Sequence, residues 1–67
     1  MSVWISLSIH AKQQARERGV SVEEIKRCIQ RGAKHIQDEK IVADYGYIRV
    51  VYKVLGKTPY VVTVMIR

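Results

Sequence analysis

Polar and apolar positions alternate at the start of the chain. In "SVWISLS", Val3, Ile5 and Leu7 stand against Ser2, Trp4 and Ser6, a period of two that predicts a first strand. The period then lengthens. Ser8 is a cap residue, and the stretch from Ile9 to Arg18 predicts a helix that Gly19 stops by turning left-handed. "SVEE" follows, with Ser21 and Glu24 at capping-box spacing, so a second helix runs to about Arg31 and Gly32 ends it. Val22, Ile25, Cys28 and Ile29 share one stripe of that helix, which marks its buried face.

Beyond Gly32 the period returns to two. "KIVADY" predicts a strand, with a turn at Gly46. "YIRVVYKVL" predicts the next, "GKTP" a turn, and "YVVTVMIR" the last. Short turns between them make an antiparallel meander. The segment Ala33 to Glu39 is ambiguous: Ile36 either starts a strand or docks in a loop. The expected fold is α+β, in the order β-α-α-β-β-β, with two helices packed on an antiparallel sheet. It forms a single domain over residues 1–67, since a chain this short holds one at most.

Alternation also sorts the sheet faces. On the middle strand of the meander, Ile48, Val50, Tyr52 and Val54 face the core; Tyr47, Arg49, Val51 and Lys53 face away. On the last strand Tyr60, Val62, Val64 and Ile66 make the better core set, against Val61, Thr63, Met65 and Arg67. The open face therefore gathers Arg49, Lys53 and Arg67 around Tyr47, Thr63 and Met65. Cations interleaved with an aromatic ring suit an RNA backbone and a stacked base. An ordinary solvated sheet face has a similar composition.

Charge sharpens this picture. Twelve Lys and Arg face six Asp and Glu, a formal net charge of +6 on a small surface, which is a candidate footprint for nucleic acid. Nearly half the residues are apolar, which argues for a folded chain. Cys28 is the lone cysteine, so no disulfide framework exists, and a single thiol fits a reducing, cytoplasmic setting. The apolar run from Val3 to Ile9 is too short to span a bilayer, so neither signal peptide nor membrane anchor is expected.

Among titratable residues His10 stands out. It follows the cap of the first helix, where the helix dipole favours neutral imidazole, the form that general acid–base chemistry needs at neutral pH. The alternative is a packing histidine bonded to a nearby carbonyl. His10, Gln14 and Arg18 lie on one helix ridge. His35 is expected on a surface loop. No Cys/His spacing suits zinc, and Asp38, Glu39 and Asp44 are scattered, so neither metal nor other cofactor is expected. Cys28 is expected in the core. Trp4 is expected to pack under the helices or to anchor a partner.

The stretch "LSIHAKQQARERGVS" resembles the pattern T/S-x-H-A-x-x-R-x-x-x-R-G-I/V-S of the DUF4258 family. Ser8, His10, Ala11, Arg18, Gly19, Val20 and Ser21 match, while Gln14 replaces the middle arginine. In its order of elements that family is similar to the RelE/ParE-like toxins, which include the BrnT ribonuclease toxins. The resemblance implies RNA binding, at the ribosome or elsewhere, with metal-independent cleavage restrained by an antitoxin protein. His10, Arg18 and Arg49 would be the catalytic groups, and Tyr47, Arg49, Lys53 and Arg67 would hold the RNA. The departure at Gln14 favours the alternative, a non-catalytic module of the same fold that forms a homodimer or binds a partner protein.

Overall fold

The computed structural model describes residues 4–67. Its elements are β1 (Ser6–Leu7), α1 (Ile9–Arg18), α2 (Val22–Arg31), β2 (Ala33–Gln37), β3 (Lys40–Tyr45), β4 (Ile48–Leu55) and β5 (Thr58–Ile66). The α+β class and the helix pair on a sheet are as expected. The sheet has five strands in the order β1-β5-β4-β3-β2, with β1 parallel to β5 and the other pairs antiparallel.

Both helices begin as their caps dictate. Ser8 Oγ accepts the Ala11 N–H at 3.0 Å, and Gly19 closes α1 at φ 68° while the Val20 N–H reaches Ala15 O at 2.8 Å. Ser21 and Glu24 form the reciprocal box at 3.0 and 3.1 Å. α1 buries only Ala11 and Ala15, so it lies close against β5. α2 buries Ile25, Cys28 and Ile29 against β3 and β4, while Val22 at its start is exposed. Cys28 is in the core as expected. Its Sγ–H donates to Ala43 O at 3.2 Å, and burial pushes its pKa up. Trp4 packs half-buried against the same core.

Two expectations are overturned and one open alternative is settled. The first strand is shorter than its alternation implied: it is Ser6–Leu7, with Ile5 buried ahead of it and Ser2 and Val3 outside the described residues. The ambiguous segment is a strand. β2 pairs with β3 through a two-residue turn in which Asp38 and Glu39 both take positive φ, 53° and 65°. That is the type I′ pattern, and it is hard to read without glycine. The last correction concerns β5. Val51 pairs with Thr63 but Tyr52 pairs with Val61, so Val62 is an extra residue and the facing pattern slips by one. Val61 is therefore in the core, whereas Tyr60 and Val62 are only half-buried. Val64 keeps its expected place, and Val54 and Ile66 are exposed.

Candidate nucleic-acid interface

The helices cover one face of the sheet, so alternation along β4 decides where each charged residue sits. Val50 lies in the core with the helices, and Arg49 and Lys53 therefore project from the opposite face. Arg49 is held there by its cross-strand neighbour. Its Nε donates to Asp44 Oδ1 at 2.6 Å and its Nη2 to Oδ2 at 3.3 Å, a bidentate pair. The hydrogen bond from Arg49 holds the Asp44 carboxyl below its usual range, with Arg67 and His35 adding positive potential, and Asp44 in turn raises Arg49.

Tyr47 does not share that face. It follows Gly46 in the β3–β4 turn, where Gly46 takes φ 60°, and it leans to the helix side. Its hydroxyl donates to Glu24 Oε2 at 3.2 Å, and the Glu24 charge pushes the Tyr47 pKa up. Glu24 is itself held below the usual carboxylate range, first by the Ser21 backbone N–H, and with help from Tyr47 and Arg27. Strand alternation does not apply in a two-residue turn, so Tyr47 leaves the open face on which its alternation with Arg49 would put it.

The same turn collects Arg67. Its backbone N–H donates to Tyr47 O at 2.7 Å and its Nη1 to Gly46 O at 3.1 Å. Three of the expected RNA-binding residues, Tyr47, Arg49 and Arg67, thus meet at one end of the sheet. Lys53 does not: it is four residues along β4 from Arg49, roughly 13 Å, beside Tyr60. Between the turn and α2 lies a cleft of ≈ 120 Å³, lined by Glu24, Arg27, Tyr45, Gly46, Tyr47 and Ile48. Glu24, Arg27 and Tyr45 belong to this site and were not among the expected residues. Tyr45-Gly46-Tyr47 is an aromatic pair across a turn, a visible signal. Glu24 is hidden in the sequence by its capping role.

The expected catalytic set is not brought together. His10 and Arg18 are exposed on α1, at opposite ends of a ten-residue helix and roughly 12 Å apart. α1 packs on β5 on the helix side of the sheet, whereas Arg49 projects from the other side. The exposure of His10 also excludes the packing role. On its ridge Gln14 has a structural task, accepting the Val64 backbone N–H at 3.0 Å. His35 is exposed on β2 rather than in a loop.

Charge is unevenly paired. Among the described residues the ion pairs are Arg49–Asp44 and Lys26–Glu23, the latter at 3.6 Å. Arg27 and Arg31, one turn apart and exposed on α2, form a cationic ridge leading from the cleft. No helix of the described residues is long and apolar enough to cross a membrane.

Residues 7–66 match the family described as "Domain of unknown function (DUF4258)". The chain belongs to this family. No curated protein and no solved structure matches the chain. In this DUF4258 domain the bond to Val64 gives Gln14 a physical role at the edge of β5.

Proposed function

We propose that this DUF4258 domain binds single-stranded RNA at the β3–β4 end of its sheet. The observation that carries the reading is the cleft flanked by Tyr45 and Tyr47, with Arg27 in its wall and Arg67 bonded to the turn behind it. Rings offer stacking surface to any base, and guanidinium groups meet phosphates on either side. The net charge of +6 adds the long-range attraction that such binding needs.

The resemblance to RelE/ParE-like toxins adds an expectation of cleavage by His10 with Arg18 and Arg49, under the control of an antitoxin. General acid–base chemistry at one phosphate needs these groups within hydrogen-bond reach of the same atoms. The sheet lies between His10 and Arg49, and Arg49 is already committed to Asp44. That separation favours binding without cleavage, the non-catalytic reading of the fold.

The test is fluorescence anisotropy with a labelled single-stranded RNA across a salt series. Arg27→Ala is expected to flatten the salt slope by about 0.7, the share of one phosphate contact on a single strand. Tyr45→Ala is expected to weaken binding by about tenfold through lost stacking. The RNA is expected to stay intact. Affinity indifferent to salt and to both substitutions would overturn the reading. Cleavage lost in His10→Ala would restore the toxin alternative.

A further inference from the structure

The cleft has a chemistry more selective than stacking alone. At ≈ 120 Å³ it is smaller than the roughly 300–1,000 Å³ of clefts that enclose a whole small molecule, so it suits one ring system. Its walls are Tyr45, Tyr47 and Ile48, and its one acidic group is Glu24. Glu24 Oε1 accepts the Ser21 N–H and Oε2 accepts the Tyr47 hydroxyl. A carboxylate has about four acceptor sites, so each oxygen keeps one. The two bonds orient the group, and each oxygen remains able to take one further donor.

We infer that this cleft selects guanine, its Glu24 carboxylate accepting N1–H and the N2 amino group while a tyrosine ring stacks on the base. Guanine alone among the RNA bases presents two adjacent donors on its Watson–Crick edge. Adenine and cytosine set a single amino donor beside an acceptor, and uracil has one N–H between two carbonyls. Each of these would turn a lone pair toward a carboxylate oxygen or leave one oxygen without a second donor, so each makes fewer bonds to the carboxylate than guanine does. A guanidinium group has the same donor pair, but it carries a full positive charge. Arg27, in the wall of the cleft, and the net charge of +6 disfavour it. The neutral base is left as the occupant, with its own phosphates drawn to Arg27.

This inference rests on the RNA-binding reading, and one experiment separates them. Binding is measured for a uridine strand carrying one guanine, the same strand carrying adenine, and uridine throughout. The guanine strand is expected to bind about tenfold or more tightly than the others. Glu24→Gln is the decisive variant. Glutamine also serves in a capping box, so the start of α2 is kept. Its amide nitrogen would now oppose one guanine donor, and the guanine strand is expected to bind no more tightly than the uridine strand. Tyr47→Phe keeps the ring but removes one of the two bonds that orient the carboxylate, and is expected to weaken the preference without abolishing it. Equal binding of all three strands overturns guanine selection and leaves the RNA reading standing. A preference that survives in Glu24→Gln overturns it as well. If no strand binds, both readings fall. Tighter capture of an arginine-containing peptide than of the guanine strand would reassign the cleft.

Discussion

The side-chain oxygen of Gln14 accepts the backbone N–H of Val64 at 3.0 Å, across 50 positions of sequence. Among the described residues β1 pairs with β5 only at Tyr60 and Val61, and beyond that point no described strand bonds the outer side of β5. Gln14 supplies the missing acceptor from α1. Gln14→Ala is expected to destabilise the domain by about 1–2 kcal/mol, since Val64 is buried and its donor would be left unpaired. Gln14→Arg is expected to cost a similar amount because guanidinium cannot accept. Gln14→Glu is expected to retain most of the stability. Urea titrations of the three variants check this, and an unperturbed midpoint in Gln14→Arg would refute the assignment.

The β2–β3 turn carries strain that a substitution can relieve. Glu39 takes φ 65°, where a side chain clashes with its own backbone. Glu39→Gly is expected to stabilise the domain by about 0.5–1 kcal/mol, after allowing for glycine's greater freedom when unfolded. That is a rise of a few degrees in melting temperature for a chain of this size. Glu39→Ala keeps the unfavourable φ and is expected to give no such rise.

Gly32 serves by its lack of a side chain, not by its dihedrals. Its φ is −70°, open to any residue, but a Cβ would collide with Cys28 O and come within 2.7 Å of Asp44 O. Both are backbone atoms and cannot rotate away. Gly32→Ala is expected to cost about 1–3 kcal/mol, read as a lower urea midpoint. By prising α2 from β3 it is also expected to loosen the Asp44–Arg49 pair.

That pair should write itself into the acid limb of stability. Asp44 is held below its ordinary range in the folded state, chiefly by the Arg49 hydrogen bond. Its contribution is therefore present above the unfolded carboxyl pKa of about 3.9 and is lost as pH falls through the lower folded value. Asp44→Asn is expected to lower the melting temperature at neutral pH and to converge with the parent protein at about pH 2. Parallel melting curves of the two proteins against pH would contradict this. Glu24 has the same sign for its own reasons, so Glu24→Gln is expected to flatten the limb as well.

Much of the helix layer was legible because its signals are local. Ser8, Gly19 and the Ser21–Glu24 box act over three or four residues, and each appears where the spacing put it. The alternation of Ile48, Val50 and Tyr52 was readable for a similar reason, since polar Arg49 and Lys53 separate the two faces. β5 was not readable in this way. "VVTVM" is apolar at almost every position, so its two faces look alike, and the bulge at Val62 exchanged Tyr60 for Val61 without leaving a mark.

The sequence by itself determined the caps, the strands of the meander, the fold class and the strongly basic character. Tertiary structure alone decided the rest: that Ala33–Gln37 joins the sheet, that His10 and Arg49 are parted by it, and that Glu24 meets Tyr47. Caps and alternation are short-range, settled by sterics and hydrogen bonds among near neighbours. A cleft forms where segments far apart in the chain are brought together by burial of a shared core, and that pairing is decided by the whole chain at once.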